Sequence, residues 1–158
     1  MFKGSIPALI TPFKNNEIDY VALESLLEWH VDQKSDGIVT VGTTGESPTL
    51  SHEEHKNVIE FVVKKIKRRI PVIAGTGSNN TSESLELTKF SEKVGADGVL
   101  IVTPYYNKPN QSGLYKHFKL LHDKTNIPII IYNIPGRSVI DVNMDTMKKL
   151  SYLPRIIG

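Results

Sequence analysis

The stretch Met147–Gly158, MKKLSYLPRIIG, bears most directly on the architecture. Its first half reads as the end of an amphipathic helix. Pro154 cannot extend that helix, and Arg155-Ile156-Ile157-Gly158 then reads as the start of a buried strand. It is the sixth of a series. The others are Ile6–Ile10, Ile38–Val41, Val72–Ala74, Val99–Val102 and Ile129–Tyr132. Each is short, mostly apolar and often β-branched, the pattern of strands covered on both faces.

Between the strands lie helical stripes: Val21, Leu23, Leu26, Leu27 and Val31; then Val58, Ile59, Val62, Val63 and Ile66; then Leu85, Leu87, Phe90 and Val94; then Leu114, Phe118 and Leu121. Ser51-His-Glu-Glu has capping-box spacing, and Gly95 suits a helix C-cap. A strand plus a helix recurs roughly every 30 residues, the length of a βαβ unit, which implies a parallel sheet with right-handed crossovers. No linker or low-complexity tract interrupts residues 1–158. Five βα units make a complete doubly wound sheet of flavodoxin type. They also make more than half of an eight-stranded barrel of about 250 residues. Length favours the first, the sixth strand start favours the second, and periodicity does not choose.

Composition narrows the function. The 158 residues carry a net charge of +2, too little to indicate a nucleic-acid partner. The basic run Lys64-Lys65-Ile66-Lys67-Arg68-Arg69 closes a helical pattern and reads as a solvated helix C-terminus, where cations suit the dipole. A phosphate or nucleic-acid patch is the alternative. The absence of cysteine excludes disulfides, thiolate nucleophiles and Cys-ligated metals. The N-terminus lacks the apolar core of a signal peptide and no stretch is long enough to cross a bilayer, so a cytoplasmic protein without a membrane partner is expected.

Polar residues are distributed unevenly about the strands. The carboxyl ends run into Thr11-Pro-Phe, Gly42-Thr-Thr-Gly-Glu-Ser, Gly75-Thr-Gly-Ser-Asn-Asn, Thr103-Pro-Tyr-Tyr-Asn and Tyr132-Asn-Ile-Pro-Gly-Arg. The amino ends are plainer: Lys34-Ser-Asp-Gly, Arg69-Ile-Pro, Gly95-Ala-Asp-Gly and Asn126-Ile-Pro. In both architectures the ligand site lies beyond the carboxyl ends. GTTGE lets backbone approach a small carboxylate or phosphate, against the plainer reading of a tight turn. GTGSNN lacks the third glycine of a dinucleotide fingerprint, and neither motif is a P-loop. Tyr105, Tyr106 and Tyr132 are candidate proton relays or packed aromatics with hydrogen-bonded tips. Arg137 is a candidate carboxylate fork or a surface ion-pair partner. His52 and His55 are three apart, whereas the zinc-helix motif needs four and a third ligand, so no metal is expected.

Five of these segments, GSIPALITPF, VGTTGES, PVIAGTGSN, VTPYYNKP…GLYKHF and PIIIYNIPGRS, occur in one order and spacing. Together they resemble the dihydrodipicolinate synthase (4-hydroxy-tetrahydrodipicolinate synthase) family of pyruvate-dependent aldolases, over Met1 to Gly158. The resemblance implies an incomplete (β/α)8 TIM barrel: about five βα units plus the start of strand six. It implies condensation of pyruvate with aspartate semialdehyde in lysine and diaminopimelate synthesis, in a homotetramer, with no cofactor. Tyr132 would be the main acid/base group. Thr43 would pass protons between Tyr132 and Tyr106, the latter reaching the site of a neighbouring subunit. Thr44 would bind the pyruvate carboxylate and Arg137 the semialdehyde carboxylate. Ser47, His52, His55, Asn79, Glu83 and Tyr105 would form an L-lysine effector site, with Pro48 where a smaller residue is common. Related keto-acid aldolases are the alternative.

By the same resemblance, IIG is followed by one apolar residue and then the Schiff-base lysine. The expectation is a portion of one barrel domain that stops short of that lysine and is inactive alone. A Schiff-base lysine needs a lowered pKa, usually from burial. The lysines here fall on helices, in loops, or at the opposite end as Lys3 does; Lys108, nearest the active end, reads as exposed. Three situations fit: a piece of an active synthase, a non-catalytic remnant or interaction partner, or a half-barrel completed by a second chain. An open barrel edge would leave such a piece sticky on its own.

Overall fold

The computed structural model describes residues 2–158. An extended segment bridges Val39 in parallel through Ala8. The chain then makes a small antiparallel hairpin, β1 (Phe13–Lys14) and β2 (Glu17–Ile18). Asn15 and Asn16 turn it at φ 54° and 65°, the left-handed pair that a two-residue I′ turn demands and that asparagine tolerates. This hairpin is not among the elements expected from the sequence.

The remaining elements alternate. Helix α1 (Tyr20–Asp32) starts at Asp19, whose carboxylate accepts from the N–H groups of Val21 and Ala22. Strand β3 (Ile38–Thr40) leads to a 3-10 turn at Ser47–Thr49 and then α2 (His52–Ile66), which carries the full Ser51/Glu54 capping box. Strand β4 (Val72–Gly75) is followed by α3 (Thr81–Val94), which ends at Gly95 in the left-handed region at φ 92°. Then come β5 (Gly98–Val102), α4 (Gln111–Lys124), β6 (Ile129–Tyr132), a single turn α5 (Pro135–Ser138) and α6 (Met144–Ser151).

Strand order decides between the two architectures. The sheet runs β3-β4-β5-β6, all parallel. The Ala8 segment adds at one edge and Ile156 at the other. Each strand thus lies beside the next in the chain, whereas a flavodoxin-type sheet would place the second strand outside the first. The helices follow in the same sequence, with α1 on α2, α2 on α3, α3 on α4 and α4 on α6. This is an arc of a (β/α)8 barrel.

Alternation along the strands separates two faces. Ile38, Val72, Ala74, Val99, Ile101 and Ile129 pack with Leu27, Ile59, Phe118 and Leu121 in the sheet–helix core. The opposite, inner face carries Val39, Ile73, Leu100, Val102, Ile130 and Tyr132. Ile10 belongs to it and is 57% exposed. The basic run is more than a solvated helix end. Lys65 Nζ lies 2.6 Å from Glu24 Oε1, and both terminal nitrogens of Arg69 lie 2.6 Å from the Glu28 carboxylate, tying α2 to α1.

The segment 155–158 pairs with β6 with a slip in register. Ile129 N–H donates to Arg155 O at 2.7 Å and Ile157 N–H donates to Ile129 O at 2.9 Å. Ile131 N–H then bonds Gly158 O, not Ile157 O. One extra residue is therefore accommodated opposite Ile130, a β-bulge. Among the described residues no helix is long and apolar enough to cross a membrane, and no group of His, Asp and Glu is arranged to hold a metal ion.

Candidate active site

The polar loops converge at the carboxyl ends of the strands, and small residues let them do so. The turn after β3 crosses directly over Gly75. A Cβ there would sit 2.4 Å from Val41 O and 2.8 Å from Gly42 N, both backbone atoms. Thr11 Oγ1, buried, donates to Gly45 O at 2.7 Å and fastens the same turn to the first strand segment. The backbone is strained where it carries the site. Val41, Glu46, Tyr106, Lys108 and Val139 all have positive φ, between 45° and 68°. For β-branched Val41 and Val139 that region is costly and is held only by surrounding structure.

Two adjoining cavities open beneath these loops. A small one of about 30 Å³ has Tyr132 and Thr43 in its wall. A larger one of about 560 Å³ has Thr43, Tyr106 and Arg137 in its wall. Thr43, Ser47, Gly77 and Val102 line both; Tyr132 borders the small one from the inner face and Tyr106 the larger one at the rim. Among the described residues no direct hydrogen bond joins the three side chains. Tyr106 is 88% exposed. Thr44 is exposed at the apex of the turn and lines neither cavity. Arg137 projects from α5, and Lys108 joins it on the wall of the larger cavity, where there is no carboxylate. That lining suits an anion.

A third cavity, of about 180 Å³, lies behind the same wall. Ser47, His52, His55, Glu83 and Tyr105 line it, together with Pro48. Glu83 accepts from Ser78 Oγ at 2.8 Å and pairs with His52 Nε2 at 2.7 Å. His55 is buried and donates from Nε2 to Gly75 O at 2.8 Å, because a carbonyl only accepts. Burial depresses its pKa, outweighing the upward pull of that carbonyl and of Glu83. The neutral ring therefore carries its lone pair on Nδ1. Asn79 lies outside this lining; its carbonyl accepts from Asn107 Nδ2 at 3.0 Å. Ser47, Pro48 and Tyr105 line both the larger cavity and this one. Asn107 and Thr11 are not among the site residues expected from the sequence. Their partners are 28 and 34 residues away and leave no local signal.

The dihydrodipicolinate synthetase family matches residues 1–158. A 4-hydroxy-tetrahydrodipicolinate synthase of Roseobacter denitrificans is 63% identical over 100% of this chain and 54% of its own length. The structure of a chloride-inhibited dihydrodipicolinate synthase from Acinetobacter baumannii, complexed with pyruvate, matches with a TM-score of 0.97 at 49% identity, over 100% of this chain and 55% of its own. A lysine-bound counterpart from Cyanidioschyzon merolae matches with a TM-score of 0.95 at 43% identity, over 99% of this chain and 54% of its own. The chain spans about half the length of the curated relatives it matches. With sequential barrel topology, polar loops gathered at one end of the sheet and a family match over every residue, the chain belongs to the dihydrodipicolinate synthetase family.

Proposed function

We propose that this chain supplies the proton-relay half of a pyruvate-dependent lyase of 4-hydroxy-tetrahydrodipicolinate synthase type. The reaction condenses pyruvate with aspartate semialdehyde in lysine and diaminopimelate biosynthesis. What supports this reading is that Thr43 lines both cavities, one with Tyr132 in its wall and the other with Tyr106, Lys108 and Arg137. Both substrates are carboxylates, and the wall holding Arg137 and Lys108 without an acid suits them.

The covalent step needs an amine to attack the pyruvate carbonyl carbon, expelling water to give a protonated imine. Loss of a methyl proton then gives the enamine that attacks the aldehyde carbon. Tyr132 serves as the group that gives and takes these protons, and Thr43 passes them toward Tyr106. Arg137 holds the semialdehyde carboxylate with its planar fork, and the pyruvate carboxylate is assigned to Thr44 although that residue lies outside both cavity walls. In a homotetramer Tyr106 enters the site of a neighbouring subunit, so the relay in each site ends on the copy of Tyr106 that the neighbour contributes; its exposure on the rim supports this.

The amine comes from outside residues 1–158. Lys3 is exposed at the opposite end of the sheet, and Lys108 is exposed on the cavity rim. The bulge supports a specific source. Because Ile131 bonds Gly158, a strand continuing past Gly158 would set its second further residue opposite Tyr132, on the inner face. A lysine there meets the requirement. The cavity of Ser47, His52, His55, Glu83 and Tyr105 is assigned to L-lysine as effector, its ammonium on Glu83.

The test is turnover of pyruvate with aspartate semialdehyde. Residues 1–158 alone should give none. A chain that continues through the next strand should be active, and Tyr132→Phe should lower its kcat by about 100-fold or more. Full activity in Tyr132→Phe would overturn the reading.

A further inference from the structure

The loop after β5 holds two strained residues separated by one. Tyr106 has φ 68° and Lys108 φ 45°, and neither is glycine or asparagine. Both line the large cavity. Left-handed backbone at two non-glycine residues in an exposed loop persists only if something else fixes it. Among the described residues, Asn107, between them, is the one of the three with hydrogen bonds of its own. Its N–H donates to Tyr105 O at 2.8 Å. Its side-chain Nδ2 donates to Asn79 O at 3.0 Å, across to the loop that follows β4.

We propose that Asn107 is a positioning residue: its amide clamps the β5 loop to the β4 loop and thereby holds Tyr106 and Lys108 on the cavity rim. The inference rests on the functional reading only where it concerns catalysis. The clamp itself is a statement about loop order. Once the side-chain bond to Asn79 is lost, the two left-handed residues relax toward ordinary backbone. Tyr106 then samples many positions, and its contribution to proton transfer falls with the fraction of time it is in place. Asn79 contributes through its backbone carbonyl, so its own side chain is not required for the clamp.

The clamp needs a donor, which separates it from shape. Asn107→Asp keeps the size and loses the donor; Asn107→Ala loses both. In either variant, amide hydrogen exchange in residues 105–108 should quicken about tenfold or more, while β5 and β6 stay as protected as before. In the full-length protein, kcat should fall about tenfold with KM for pyruvate unchanged. Asn107→Ala combined with Tyr106→Phe should be no slower than Tyr106→Phe alone. Unchanged exchange in Asn107→Asp would overturn the clamp. Faster loop exchange with kcat intact would uphold the clamp and instead remove Tyr106 from the proton relay, so the two failures are distinguishable.

Discussion

His117 offers the sharpest test of the packing described above, because its burial converts into a pH dependence. It sits between α3 and α4 at 4% exposure, with Nδ1 2.9 Å from Thr81 Oγ1 and its ring edge-on to Phe118. Nε2 is buried and has no hydrogen-bond partner. Burial pushes its pKa down to about 4, against about 6.5 in an unfolded chain. Below pH 6.5 the unfolded chain takes up a proton that the folded chain refuses until about pH 4. Stability therefore falls as pH drops through that window. The loss reaches about 2 kcal/mol at pH 5 and levels off near about 3 kcal/mol in stronger acid. His30 and His55, also depressed by burial, act in the same direction. Hydrogen bonds from Arg69, Ser51, Lys56 and Lys119 hold Glu28, Glu54, Glu86 and Asp123 below the usual carboxylate range, and what they contribute is lost only in stronger acid. Comparing the native chain with His117→Gln at pH 7 and pH 5 isolates the one ring. By urea unfolding, the native chain should lose about 2 kcal/mol more than the variant over that interval. Equal losses would refute the burial argument.

Gly75→Ala should destabilise by about 3 kcal/mol or more, since each close neighbour of the new methyl is backbone. Gly136→Ala, with nothing within 4 Å among the described residues, should be neutral or stabilising by about 0.5 kcal/mol, both read by urea unfolding. For the cavity proposed as an effector site, calorimetric titration with L-lysine should give saturable binding that Glu83→Ala weakens by about tenfold or more. Heat unaffected by that substitution would move lysine elsewhere. Ser51→Ala should cost about 1 kcal/mol by removing the Ser51 half of the capping box, read as a lowered urea midpoint.

Much of the fold is legible in the sequence for identifiable reasons. Strands buried on both faces write themselves as runs such as Ile129-Ile-Ile, and capping chemistry is local, so Ser51/Glu54 and Gly95 stand where their spacing puts them. The β1–β2 hairpin escapes because two-residue strands have no measurable period; only Asn15-Asn16 marks it. Strand order escapes because crossover direction and neighbour choice are tertiary. Ion pairs are illegible too: Lys65 finds Glu24 and Arg69 finds Glu28, each 41 residues away, by the packing of α2 on α1. In the site, which residues gather follows from strand ends, as read for Thr43, Tyr106 and Arg137. How they gather does not. That Thr43 borders two cavities depends on the turn's passage over Gly75, and the bulge at Gly158 depends on a neighbouring strand.

The measurement that bears most directly on the proposed chemistry is intact and peptide mass of the protein from its native source, after pyruvate and borohydride. The predicted result is no adduct on any lysine of residues 1–158, and, in a chain that continues, a reduced pyruvate adduct on the second residue beyond Gly158. An adduct mapped to Lys108, or to any other lysine before Gly158, would contradict it.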